Sequence, residues 1–317
     1  MSTFKDKLYN QLNGMIEHRR NLGHKDTTTF STLHPFIDFC CEFYPNATEI
    51  TEDMLSSWLA YRKYDNPNTV NSFLACFNNL SSFIRLCGES AYLANDGEYH
   101  KKGIEFVPTL LNDEQIKSLF HTIDTTLTRS KCNPPTEIIS PVLYRFMFCA
   151  GMRPAEPLHL LKDDVNLDTG DVYIQESKKN KDRHIIISED MRNLCVQFDS
   201  LQDSQRTYFF EHNKSSLPRQ WMTNHFHVLA RKSNIGKTSE KLRPYDLRHM
   251  FASRTIMKWI DNKQEVMELL PYLSVYMGHE NINHTLYYVH LLPERLKASS
   301  GINWDVFNSV YRGTYEG

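Results

Sequence analysis

Residues 136–150, TEIISPVLYRFMFCA, carry Ile138, Ile139, Val142, Leu143, Phe146, Met147 and Cys149 around most of a helical circumference. A helix that is apolar on nearly every side offers water no face and has to lie inside a core, so a domain must be built around it. The run stops at Gly151. Arg153 follows between that stop and a short helix whose first turn tolerates Pro154 and Pro157, because the N–H groups there have no intrahelical acceptor. A cation anchored at the rim of a core is well oriented, and Glu156 in the same turn is expected to brace neighbouring backbone rather than react.

The chain has 317 residues, 40% of them hydrophobic and 23% charged, which suits a globular protein of two domains. Its first part is helical by spacing. Phe4, Leu8, Leu12, Met15 and Ile16 form one stripe, and Phe30, Leu33, Phe36, Ile37, Cys40 and Phe43 a second. Thr51 is expected to cap a third helix through Met54, Leu55, Trp58 and Leu59, and Asn68 or Thr69 to open a fourth through Val70, Phe73, Phe77, Leu80 and Ile84. The stretch ANDGEYHKKGI, from Ala94, is poor in apolar residues and reads as a linker. Beyond it, Asn112 and Gln115 offer a capping box. The predicted organisation is a helical domain over 1–93, a linker over 94–107 and a second domain over 108–317.

In the second domain Asp168-Thr169-Gly170-Asp171 predicts a turn, with Val172 and Ile174 on one strand and His184 to Ile187 on the other, joined by the basic loop KKNKDR that begins at Lys178. Arg243-Pro244 precedes a helix to about Trp259, with Asp246 its expected cap and Arg248 in its first turn, where backbone donors favour anions. Pro271 to Met277 predicts a short helix ending at Gly278. His279 then sits at a bend nine residues ahead of Tyr288, on a helix that Asn281 or Asn283 could cap. The fold class is therefore mainly α with a small β-sheet.

Several functions are disfavoured. No N-terminal apolar segment resembles a secretory signal and no run approaches a membrane span, so the expected setting is the cytoplasm, with no membrane partner. Seven cysteines without a CxxC pair signal neither a disulfide framework nor a zinc site, and HExxH is absent, so neither metal nor cofactor is expected. The net charge of −2 leaves any nucleic-acid contact to local clusters, the densest being Lys178 to His184.

Arg153, Lys178, Tyr245, Arg248, His279 and Tyr288 each stand beside a structural stop or cap, in GMRPAE, SKKNKDRHIII, YDLRHMFAS and MGHENINHTLYYVH. In order and spacing these motifs resemble the tyrosine recombinase, or phage integrase, family over about residues 108–317. The N-terminal part is similar to that family's core-binding domain in size and position only. The resemblance implies a mixed α/β catalytic domain acting on double-stranded DNA recombination sites, with the protein nucleoid-associated. Arg153 and Arg248 would hold a phosphodiester and stabilise its transition-state charge, and His279 would add a donor. Lys178 would protonate the departing 5′ oxygen, and Tyr288 would attack phosphorus to leave a 3′-phosphotyrosine.

Three positions leave alternatives. Lys179 and Lys181 compete with Lys178, which is selected by matching Arg183 to the arginine ending the family's loop. Tyr287 adjoins Tyr288, and the nine-residue step favours Tyr288. Tyr245 replaces the family's more frequent histidine, and a phenol can donate to phosphate but is a poor base at neutral pH. The tail 301–317 has Trp304, Phe307, Val310 and Tyr311 on one helical face, which the family uses to join a homotetramer around two DNA duplexes. The rival expectations are a catalytically impaired DNA-binding regulator of the same fold and a type IB topoisomerase-like relaxer.

Overall fold

The structure, a computed structural model, describes residues 3–24, 28–62, 66–99, 107–127, 134–177 and 181–290. Lys178, Lys179, residues 100–106 of the expected linker and the tail 301–317 lie outside the described residues. The chain divides into two compact units, residues 1–106 and 107–317.

The first unit holds α1 (Phe4–Asn21), α2 (Thr29–Phe43), α3 (Glu52–Tyr61) and α4 (Pro67–Leu86). The α1 and α3 helices start where local chemistry supplies acceptors for orphan N–H groups: Thr3 and Asp6 cap each other's backbone, and Thr51 accepts from Met54 N. The start of α4 departs from expectation. Its cap is Asn66, whose Oδ1 accepts from Asn68 N at 2.9 Å, because Pro67 already has helical φ and lacks the N–H that the first turn could not use. Phe36 is the hub of the core, meeting the edges or faces of Trp58, Phe73 and Phe77 at ring separations of 5.9, 5.8 and 5.4 Å. Residues 94–99, expected within the linker, are held on this unit. Asn78 bonds both backbone groups of Ala94, and Asn95 caps a short turn over Asp96–Glu98.

In the second unit α5 (Asp113–Thr125) opens on the reciprocal Asn112–Gln115 pair. The helix α6 (Thr136–Cys149) runs through the core against α5, and its Tyr144 hydroxyl donates to the Met222 carbonyl at 3.1 Å while Phe146 meets Phe209 and Phe210 edge-on. The elements that follow are α7 (Ala155–His159), an antiparallel hairpin of β1 (Asp171–Ser177) and β2 (Lys181–Ile186), and α8 (Glu189–Ser200). A minimal hairpin of β3 (Glu211–His212) and β4 (Ser215–Ser216) comes next, then α9 (Arg219–Lys232) and α10 (Thr238–Lys241). The chain continues through α11 (Pro244–Asp261), α12 (Val266–Tyr276) and α13 (Asn283–His290). In the first hairpin Val172 faces Ile185 and Ile174 faces Arg183, so Arg183 shares the core-facing side with three buried aliphatic residues.

Two helix starts differ from expectation. Asp246 is not the cap of α11 but its third residue, and its carboxylate reaches back to Arg243 N at 2.8 Å; Pro244 lets the helix begin earlier and moves Arg248 into the second turn. The α12 helix begins at Val266, ahead of Pro271, because the apolar series Val266, Leu270, Leu273 and Met277 continues across the proline and buries one face.

Truncating Phe36 removes the hub of the first unit's aromatic core. The F36A variant is expected to lose about 3–5 kcal/mol of stability in urea unfolding, the usual cost of deleting a buried aromatic.

Candidate active site

The α12 helix ends in a left-handed turn at Gly278, φ +64°, and three consecutive carbonyls at that end each accept from a different arginine. Arg183 Nε donates to Tyr276 O at 3.0 Å, Arg248 Nη2 to Met277 O at 2.7 Å and Arg153 Nη2 to Gly278 O at 2.5 Å. The last carbonyls of a helix carry its partial negative charge and have no intrahelical donors, so cations suit them. The arginines come from β2, α11 and the turn before α7. This one helix terminus gathers side chains that the sequence holds far apart.

Arg248 is fully buried, and its Nη1 donates to Gly151 O at 2.5 Å. Gly151 has φ +63°, and a Cβ there would sit 2.5 Å from the Phe251 ring, so a side chain at this position meets both strain and collision. Arg248 Nη2 also meets His279 Nε2 at 3.0 Å, while His279 Nδ1 meets Thr285 Oγ1 at 2.7 Å. Guanidinium only donates, so Nε2 is the acceptor and the imidazole proton belongs on Nδ1, directed at Thr285. Burial, with the charges of Arg248 and Arg153, lowers the His279 pKa to about 3, so the ring is neutral. Arg248 Nε is buried with no hydrogen-bond partner among the described residues.

Glu156 ties the arginines together. Its carboxylate accepts from Arg153 N at 2.7 Å and Arg153 Nη1 at 2.9 Å, and both oxygens take the fork of Arg183 at 2.8 and 2.7 Å. Burial by itself would raise this carboxyl, yet the Arg183 hydrogen bonds and charge more than offset it and hold the pKa at about 2. The expected brace to backbone is present and the two guanidinium contacts are additional.

Tyr288 lies on α13, whose first N–H groups are met by Asn281: its Oδ1 accepts from Asn283 N at 2.9 Å. The Tyr288 ring stacks on His279 at 6.0 Å and packs against His249 at 5.5 Å. It is 2% exposed, and burial pushes its hydroxyl to about 12 against the opposing charge of Arg248. Tyr245 is 36% exposed and packs on His249 at a ring separation of 4.9 Å. His249 Nδ1 has no partner among the described residues, and the ring packs against Tyr245 and Tyr288.

Arg153, Tyr245, Arg248, His279 and Tyr288 thus meet around the end of α12 and the start of α13, while Lys178 lies outside the described residues. Sequence reasoning missed Arg183 as a bonded member of the cluster, and it missed Thr285. A signal for Arg183 was available: with Ile185 and Ile187 facing inward, strand alternation places Arg183 inward too, and a core-facing charge needs a partner. Thr285 carried no comparable signal.

With this geometry in view, residues 109–295 match the phage integrase family. The chain belongs to that family. Among curated relatives, y4rE of Sinorhizobium fredii is 26% identical over 190 residues, which span 57% of this chain and 59% of that protein's length. From the same organism, y4rB is 24% identical over 310 residues, 94% of this chain and 96% of the relative. Among solved structures, XerH site-specific recombinase bound to palindromic difH substrate, a post-cleavage complex, aligns with TM-score 0.63 and 21% identity over 93% of this chain and 84% of that one. The likeness extends over both units and is one of fold. Among the described residues no helix is long and apolar enough to cross a membrane.

The Glu156 pKa sets a stability signature. A carboxyl held at about 2 rather than 4.5 favours the folded state fully above pH 4.5, and that contribution is lost as pH falls toward 2. Its size is about 3 kcal/mol, from about 1.4 kcal/mol per unit. Urea unfolding across this window should show the loss in the unsubstituted protein, and E156Q, less stable at neutral pH, should lack that component.

Proposed function

We propose that this phage integrase family member is a site-specific DNA recombinase that cuts and rejoins strands through a 3′-phosphotyrosine. The observation that carries the reading is the convergence of two arginines, a neutral histidine and a buried tyrosine at one helix terminus, with an Arg248 Nε donor left unpartnered among the described residues. Guanidinium groups recognise phosphate through paired, charge-assisted hydrogen bonds and stabilise charge growing on its oxygens. The fold likeness to XerH, whose structure holds a DNA recombination substrate, supports DNA as the partner.

In the proposed step the Tyr288 oxygen attacks phosphorus in line and the bond to the 5′ oxygen breaks. Phosphate draws the Arg248 donors toward itself and releases His279 Nε2, which takes the Tyr288 proton and then donates to the same phosphate. The negative charge of the phosphate opposes the burial and the Arg248 and Arg153 charges that hold the basicity of His279 low, and Tyr245 contributes a hydrogen bond rather than base chemistry. Lys178 supplies the proton for the departing 5′ oxygen. A 5′ hydroxyl from a second duplex reverses the reaction, so bond energy is conserved and strands are exchanged. Since Tyr288 is 2% exposed, α13 has to shift before attack, and chemistry waits on that movement. The residues 1–93 are proposed to clamp DNA, and the tail 301–317 to join four copies around two duplexes.

A randomised pool of singly nicked duplexes, in which the cut strand cannot be religated, tests the reading without knowledge of the target. Denaturing gels should show covalent protein–DNA adducts that vanish in Y288F and persist in Y287F. Adducts that survive in Y288F, or none with the unsubstituted protein, would remove the proposal. Deleting residues 301–317 should weaken pairing of two duplexes more than binding of one, measured by native gel with the recovered duplex.

A further inference from the structure

We propose that Arg183 is a positioning residue for the cleavage step: through its fork on Glu156 and its bond to Tyr276 O, it sets both the Arg153 guanidinium and the turn that carries His279. The inference rests on the recombinase reading and adds a residue to it. Arg183 has an 8% exposed side chain and Glu156 a 6% exposed one, so their pairing is shielded from water. Two further contacts of Glu156, to Arg153 N and Arg153 Nη1, use the same oxygens that Arg183 holds. Arg183 Nε meanwhile ties β2 to the last turn of α12.

The packing at Gly278 supports the same role. A Cβ there would lie 3.2 Å from Arg183 Cδ, 3.3 Å from Arg183 Nη1 and 3.4 Å from Arg153 Nη1, so both guanidinium groups rest on the bare backbone just before His279. Arg183 therefore touches the supports of two reacting groups from opposite directions, one through a carboxylate and one through a carbonyl. Losing the fork leaves Glu156 facing Arg153 from its own turn and Arg248 from α11, with neither replacing the planar two-bond geometry.

The test compares the full-length protein with R183K, R183Q, E156Q and the E156Q/R183Q double variant on a duplex recovered from the randomised nicked pool. R183K preserves charge and removes the fork, and it should slow adduct formation about 10²-fold, the scale of an ångström-level misplacement, with gel-shift affinity unchanged. R183Q and E156Q should lose a similar factor. The double variant should be no slower than the worse single one, because the two residues act as a unit.

A wild-type rate in R183K, losses that multiply in the double variant, or recovery of rate when the double variant regains stability would each overturn the proposal. The link itself is read independently of DNA by carbon-13 titration of the Glu156 carboxyl. In R183Q its midpoint should climb from about 2 toward the ordinary carboxylate range. An unmoved midpoint would sink the inference. Absence of any adduct with the unsubstituted protein would sink the recombinase reading instead.

Discussion

Three guanidinium groups meeting three successive carbonyls at the end of α12 is the interaction on which the arrangement of the cluster depends. Helix termini are commonly finished by water or by a glycine turn. Here the glycine turn is present, and the carbonyls are also claimed by cations from β2, α11 and the α7 turn. Each arginine is anchored at a point fixed by main chain, and Glu156 adds a side-chain tie to two of them. Cations crowded into a buried space repel one another, and Glu156 is the counter-charge that makes the gathering tolerable.

Around this anchor the protonation states follow from position. His279 lies among arginines and stays neutral; Glu156 lies among the same groups and stays charged; Tyr288 is buried deeply enough to keep its proton. Burial favours the neutral form of His279 and Tyr288, whereas paired hydrogen bonds from arginine keep Glu156 ionised. The tautomer of His279 is likewise set by its neighbours, since Arg248 can only donate and Thr285 is left to accept. The cluster is therefore a proton-ordered arrangement as well as a set of close side chains.

Much of this was legible before any coordinates. The caps at Thr51 and Asn112, the all-round apolar α6 and the hairpin from Asp171 onward follow from local pattern, and Arg153, Arg248, His279 and Tyr288 stood out because each adjoins a stop, a cap or a bend. Local rules failed where two signals competed. Asn66 prevails over Asn68 because proline pre-organises the first turn, and Asp246, which has the residue type of a cap, is instead the residue that reaches back to one. The bonds of Arg183 and Thr285 belong to tertiary structure: 27 positions separate Arg183 from Glu156, and no periodicity relates a strand end to a helix turn.

The left-handed turn at Gly278 has a consequence for how this protein tolerates change. That position contributes no functional group, yet the space over its α-carbon is occupied by parts of Arg153 and Arg183. Any larger residue would press on both guanidinium groups while every polar side chain of the cluster remained in the chain. Tolerance at codon 278 is thus governed by backbone and volume together, since a methyl group there would meet the strain of a left-handed φ and would also press on both guanidinium groups.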